Sequence, residues 1–341
     1  MPRRLAVLVL VLACAAALPA ADLWAQQATT PTNEVLRAVV GVRAEVPMGS
    51  RTARTLGMER EGSGVVIDGR GLVLTIGYLI MEADTVEIVL AGDRRVPAAI
   101  LAYDHNSGFG LVRAREDLGV PAMALGESAG LREGDRGLAV SLDGMRPVTP
   151  VRVVSRRPFA GYWEYLLEDA IFTAPPHLHF GGAALVGEDG RLLGIGSLFV
   201  NDAAQGEQPV MGNMFVPVDD LKPILADMLK RGRSHGPVRP WLGLQPQEVK
   251  GRVFVGRVVQ GGPADNAGIQ RGDVILGVNG RRVADMADYF RKVWALGDAG
   301  TDIPLDLVSV ETETLEVRKV SVQSEDRYDW LDIQVEKDFV K

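Results

Sequence analysis

Gly261-Gly262-Pro263-Ala264-Asp265-Asn266-Ala267-Gly268-Ile269, followed by Gly272-Asp273-Val274-Ile275-Leu276 and Val278-Asn279-Gly280, is the stretch on which the fold of this chain turns. Proline suits the first turn of a helix, where its missing N–H has no intrahelical partner to lose. The Gly-Asp pair opens a β-branched run, and Asn-Gly tolerates the positive φ that a tight strand-to-strand turn demands. Just upstream, residues 253–259 read as a strand, and Trp241-Leu242-Gly243-Leu244 opens the unit; downstream, residues 283–294 read as a helix. A small unit of mixed helix and strand is therefore expected over residues 240–325, with a C-terminal tail at 326–341.

Working outward, Arg231-Gly232-Arg233-Ser234-His235-Gly236-Pro237 has the small, charged and turn-forming residues of a linker, placed here at 231–239. Ahead of it lies helical spacing over 218–230, with Leu221, Ile224, Leu225, Met228 and Leu229 on one face. Earlier still, short apolar runs recur, among them Val65-Val66-Ile67, Leu72-Val73-Leu74, Val86 to Leu90, Gly110-Leu111-Val112, Ala170-Ile171-Phe172, Ala184-Leu185-Val186 and Met214-Phe215-Val216. Asp68-Gly69-Arg70-Gly71 and Ala91-Gly92-Asp93-Arg94 separate neighbouring runs as hairpin turns do. Such spacing predicts a mainly β domain of sandwich or barrel type over 34–230. Residues 34–46 read as a short helix running into a first strand, and residues 48–61 as a mobile loop.

Composition narrows the class. With 341 residues, 47% hydrophobic and 24% charged, the chain can bury two or three cores, and its 39 glycines and 19 prolines suit short strands better than long helices. The net charge of −7 and the lack of a basic run after the first residues argue against a nucleic-acid partner. Arg3 and Arg4, the apolar Leu5 to Leu12 and a small-residue stretch ending at Ala25 read as an export signal over residues 1–25, placing the protein in a periplasm or cell envelope. Cys14 is the sole cysteine, so a chain cut after Ala25 holds no disulfide; a lipoprotein modified at Cys14 is the less favoured reading. No later segment is apolar for long enough to serve as a transmembrane helix.

The glycine-rich order of strand, Pro-Ala helix start, Gly-Asp strand and Asn-Gly turn resembles the PDZ family in its bacterial arrangement. Gly62-Ser63-Gly64-Val65-Val66-Ile67-Asp68 with Gly71-Leu72-Val73-Leu74-Thr75, then Leu125-Gly126-Glu127-Ser128 and Gly190-Arg191-Leu192-Leu193-Gly194-Ile195, resemble the HtrA/Deg family of trypsin-like serine proteases. The resemblance implies a two-barrel, chymotrypsin-type domain followed by a PDZ domain. It also implies that Trp241, Leu242, Gly243 and Leu244 form a loop whose main-chain N–H groups receive the free carboxylate of a peptide. Ala287 and Phe290 would line the adjoining groove. The same apolar residues serve equally well as core of the small domain, Trp241 above all.

Family members use a histidine base, an orienting aspartate and a serine nucleophile. In this chain the matching positions hold Tyr78, in Leu74-Thr75-Ile76-Gly77-Tyr78; Gly108, in Asp104-His105-Asn106-Ser107-Gly108; and Gly181, in His179-Phe180-Gly181-Gly182. A phenol with a pKa of about 10 is a poor base at neutral pH, and glycine offers neither acid nor nucleophile. The expectation is a degenerate protease fold that binds peptides or partners, including unfolded segments and an active family member; the alternative is a working serine endopeptidase of protein quality control. The resemblance further implies a homo-oligomer, a trimer. No cofactor is expected, and His105, His177 and His179 are the weak candidates for a metal.

Overall fold

The computed structural model describes residues 37–142, 144, 147–206, 208–309 and 316–336. Residues 1–25, read as an export signal, and Cys14 within them lie outside the described residues. From Val39 onward the short β-branched runs form strands β1 (Val39–Glu45), β2 (Glu59–Val66), β3 (Leu72–Ile76), β4 (Thr85–Leu90), β5 (Arg94–Tyr103) and β6 (Phe109–Ala114). They close into a barrel in the order β1-β2-β3-β6-β5-β4, sealed where Gly41 of β1 faces Val89 of β4. Closure leaves no free sheet edge in this unit. The turn at 68–71 is tied by Asp68, whose Oδ1 accepts from the Arg70 and Leu72 N–H groups at 2.8 Å and whose Oδ2 accepts from the Arg113 guanidinium at 2.9 Å.

A second closed barrel follows, from β7 (Arg136–Val140), β8 (Val148–Gly161), β9 (Tyr165–Ala174), β10 (Ala184–Val186), β11 (Leu192–Val200) and β12 (Gly212–Pro217), in the order β10-β11-β12-β9-β8-β7. Strand β8 is absent from the sequence expectation. Its Pro150, Arg152, Arg156, Arg157 and Pro158 break every apolar run, yet it is the longest strand described, paired along β9 with register shifts near Val153 and Arg157. The two runs read from sequence at 166–167 and 170–172 are one strand, β9. The β8–β9 hairpin thereby projects beyond the barrel.

Two further readings are corrected. The loop expected at 48–61 holds helix α1 (Ala53–Leu56) and the start of β2. The Glu82 carboxylate accepts from the Arg51 and Thr52 N–H groups, and the buried Arg60 guanidinium donates to the carbonyls of Gly57, Tyr78 and Met81. The helix expected over 218–230 is two pieces: a 3-10 turn at Val218–Asp220 and helix α2 (Leu225–Arg231). Pro223 stands between them, with no N–H to continue a ladder.

The C-terminal unit is a sheet of β13 (Leu244–Val249), β14 (Arg252–Val258), β15 (Val274–Val278), β17 (Asp302–Val308) and β18 (Val317–Gln323) in that order, with the short β16 (Arg281–Arg282) beside β15. Asn279 and Gly280 carry the positive φ values, 49° and 71°, of the tight turn between β15 and β16. Helix α3 (Pro263–Asn266) starts on the proline as the sequence indicates, and β13 lies at the sheet edge. The helix read at 283–294 is α4, Met286–Trp294. Val283 donates to Leu276 O at 2.9 Å and so belongs with the sheet, while Asp285 caps the helix by accepting from the Asp288 N–H at 2.7 Å.

The chain then returns to the first barrel. Helix α5 (Arg327–Leu331) lies in the segment set apart as a tail, and Leu331 packs with Met81 and Tyr103. Tyr328 Oη donates to Tyr103 O at 3.0 Å and accepts from the His105 N–H at 3.1 Å. Removing the cap of α4 by Asp285→Ala should lower stability by about 1 kcal/mol, the usual worth of such a residue, read as a shift of the urea midpoint at unchanged slope.

Candidate functional sites

Two places carry chemistry, and both are built by loops at the seam between units. The first gathers the three positions predicted for a triad. Tyr78 sits on the 3-10 turn Gly77–Leu79 after β3, Gly108 in the loop before β6 and Gly181 in the loop before β10. Tyr78 Oη donates to Ser197 O at 3.0 Å, and a methyl group added at Gly181 would lie 2.9 Å from that hydroxyl. Gly77 N–H donates to Gly108 O at 2.7 Å, so the third position adjoins the same turn. Burial pushes the Tyr78 phenol well above its ordinary pKa, which keeps it a neutral donor.

Gly108 has a φ of 82°, in a turn held by Asp104, whose Oδ2 accepts from the Ser107 N–H at 2.7 Å and the Ser107 hydroxyl at 2.6 Å. The space a side chain at 108 would enter belongs to Tyr165. Its Oη is 3.2 Å from where a Cβ would stand, and it donates to Ser107 O at 2.5 Å. Tyr165 was not singled out from sequence, since nothing local distinguishes it from a core aromatic of β9. Gly182 is constrained twice: its φ is 75°, and a Cβ there would lie 1.8 Å from Ser63 O.

The histidines do not gather. His177 is 1% exposed, with Nδ1 2.8 Å from Thr149 Oγ1 and Nε2 3.0 Å from Ser141 Oγ. Both ring nitrogens are engaged with hydroxyl groups, and among the described residues no carboxylate is hydrogen-bonded to the ring. His105 stands between the rings of Tyr103 and Tyr328, at 4.4 and 4.2 Å, and burial drives its pKa well down. His179 lies against Gly144. Among the described residues no three His, Cys, Asp or Glu side chains are grouped to hold a metal.

The second place is the loop at the head of β13. Gly243, at φ 72°, turns the chain so that the N–H groups of Leu242 and Leu244 point the same way, and Val259 N–H holds the turn by donating to Gly243 O at 2.8 Å. The two convergent N–H groups grip a carboxylate of the chain itself. Leu242 N donates to Glu164 Oε2 and Leu244 N to Glu164 Oε1, each at 2.9 Å. Glu164 comes from the tip of the β8–β9 hairpin, is 8% exposed, and went unnoticed in the sequence. Burial raises its pKa to about 7 against the opposing pull of the Leu242 N–H, the Arg327 guanidinium and the Leu244 and Gly243 N–H groups.

The other residues predicted for this groove are buried around it. Leu242, Leu244 and Phe290 share one apolar cluster with Leu166 of the hairpin, and Ala287 packs against that cluster. Phe290 stacks on Trp294, over which Arg239 lies at 4.1 Å. Trp241 is buried against Trp330, ring centres 5.0 Å apart, exchanges backbone hydrogen bonds with Glu325, and lies with its ring beside Gly243. The class defined by this architecture is a two-barrel, trypsin-like domain followed by a PDZ domain.

Comparison with known proteins agrees. The trypsin-like peptidase domain profile matches residues 62–195 and the PDZ domain profile residues 254–304. The chain is 26% identical to the serine protease Do-like HtrA of Lactobacillus helveticus, over 67% of this chain and 60% of that protein. It is also 26% identical to the mitochondrial serine protease HTRA2 of Drosophila pseudoobscura pseudoobscura, over 67% of this chain and 59% of that one. A DegP-like periplasmic serine endoprotease of Hahella chejuensis is 27% identical over 65% of this chain and 49% of that protein. The chain thus spans about six-tenths or less of the length of these relatives. Among solved structures, the HtrA-type protease AlgW with decapeptide superposes with a TM-score of 0.51 at 20% identity, covering 87% of this chain and 98% of that one. The serine endoprotease from Yersinia pestis gives 0.50 at 21%, covering 87% and 96%. The chain thus carries a trypsin-like peptidase domain followed by a PDZ domain and is similar to HtrA-type serine proteases.

Burial holds the His177 pKa at about 4, below the 6.5 of an ordinary histidine, so the unfolded chain takes up a proton first as pH falls. The resulting stability is complete above pH 6.5 and is lost as pH drops toward 4, by at most about 3 kcal/mol. His177→Gln, whose amide can still reach Ser141 and Thr149, should flatten this acid limb of the urea stability profile while the contribution of His105 remains.

Proposed function

We propose that this protein is an exported HtrA-like homologue that no longer hydrolyses peptides by the triad route and instead binds peptide or protein segments through its PDZ domain. The observation that carries the reading is the grip of the Leu242 and Leu244 N–H groups on the Glu164 carboxylate: two convergent main-chain donors of this kind suit the carboxylate of a chain terminus. Support from the other site is chemical. At Tyr78, Gly108 and Gly181 there is a neutral phenol bound to a carbonyl and two glycines, with no group to take a proton and none to attack a carbonyl carbon.

The ligands on this reading are C-terminal or unfolded segments of other proteins, or an active protease of the same family, met in the periplasm or cell envelope. A homotrimer is part of the proposal. No helix among the described residues is long and apolar enough to cross a membrane.

Incubating the purified chain with unfolded casein and with a fluorophosphonate that labels activated serines should give no cleavage and no labelling. Gly181→Ser should not restore either, because the new side chain would enter space held by the Tyr78 hydroxyl and would find no base. Casein cleavage that fluorophosphonate abolishes would establish the chain as a working serine endopeptidase and end this reading.

A further inference from the structure

The linker that follows α2 borders a cavity of about 130 Å³, to which α5, the end of α4 and the tip of the β8–β9 hairpin also contribute. Its charged lining is lopsided. Arg231, Arg233, Arg239 and Arg327 face it, against the two carboxylates of Glu164 and Asp326. Four guanidinium groups less two carboxylates leave a surplus of two positive charges.

Two of the arginines have partners. Arg233 pairs with Asp326 at 2.9 Å and lies over the Tyr328 ring, while Arg231 stands 3.8 Å from Asp227 and 2.9 Å from His235 Nδ1. Both Glu164 oxygens already accept from the Leu242 and Leu244 N–H groups. Arg239 and Arg327 have no carboxylate within ion-pairing distance among the described residues: Arg327 donates to Trp163 O at 2.8 Å, and Arg239 lies over the Trp294 ring at 4.1 Å. Burial lowers the Arg239 pKa, with Asp104, Tyr165 and Glu168 opposing from farther off. A charge taken from water is ordinarily paired, so a half-buried guanidinium on an aromatic face is short of an anion. His105 reports the same field. Its ring borders the cavity, neither ring nitrogen has a hydrogen-bond partner among the described residues, and burial, then Arg327 and Arg233, drive its pKa well down.

We propose that this cavity is a binding site for a small, doubly charged oxyanion of the phosphate type, with Arg239 and Arg327 as its principal partners. Charge and size agree on that class. The surplus of two positive charges matches a dianion, and since one water needs about 10–15 Å³ of such space, the cavity holds one tetrahedral ion and a few waters. Guanidinium forks also fit phosphate oxygens in pairs, at charge-assisted strength. An occupant would join the linker to α5, the two segments that fasten the PDZ domain to the first barrel. The site goes beyond the peptide-binding reading and stands or falls without it.

Isothermal titration of the full chain with inorganic phosphate tests it, at mildly alkaline pH where phosphate is a dianion and at an ionic strength held constant with chloride. Wild type should bind one phosphate per chain, and the urea midpoint should rise with phosphate and level off. Arg239→Gln and Arg327→Gln should each weaken binding about tenfold, the loss of one charge-assisted contact. Arg281→Gln, at an exposed position outside the cavity, should bind as wild type does. Arg239→Lys, which keeps the charge and loses the fork, should fall between wild type and Arg239→Gln, and it carries the test if urea unfolding shows that a glutamine variant does not fold. No heat and no midpoint shift in wild type, or equal binding by wild type and the Arg239 and Arg327 variants, overturns the site. Phenyl phosphate, with the same dianion on a bulky group, should bind more weakly than phosphate; equal binding overturns the free ion in favour of a phosphate group borne by a larger molecule.

Discussion

The seam between the two barrels is the contact on which the rest of the molecule is arranged. Ser63 N–H donates to Gly181 O at 2.8 Å, and Gly182 passes so close to Ser63 O that a Cβ could not fit. Backbone meeting backbone at this distance seats the loop before β10 against β2, while Gly77 N–H, donating to Gly108 O at 2.7 Å, ties the loop before β6 to the turn after β3. With glycine at 108 and 181, these main-chain contacts hold the loops in place. Tyr165 and the Tyr78 hydroxyl occupy the space beside these two glycines.

Much of this was legible in the sequence where the signal is local. Asp68 to Gly71, Asn279-Gly280 and Pro263 announced their turns and helix start because the residues themselves impose the dihedral angles. The loop with converging N–H groups at Leu242-Gly243-Leu244 was indicated by the resemblance to PDZ domains and not by the residues alone. Long-range features were silent. Strand β8 carries too many arginines and prolines to show an apolar run, and it is held as a strand by β7 and β9 on either side. Glu164, in the turn that β8 makes possible, lies 78 residues from Leu242, and no pattern within a window connects them. The two helix readings that shifted did so at residues with a readable effect, Pro223 and Asp285, whose influence outweighed hydrophobic spacing.

The electrostatics of Glu164 show two opposed demands on one group. Main-chain N–H donors and Arg327 favour its charged form, and burial among Leu242, Leu244 and Tyr289 disfavours it more strongly. A carboxylate taken out of water repays its desolvation only through well-placed donors. The clasp is therefore close to balance, in contrast to the surface pair of Arg291 and Glu168, which costs little and secures little.

The PDZ domain is fastened to the first barrel at both ends, by the linker that follows α2 and by α5 with Tyr328 against Tyr103. Glu164 accordingly meets its loop at a fixed, high local concentration, independent of how much protein is present. The two N–H donors of that loop are thus satisfied from within the chain itself.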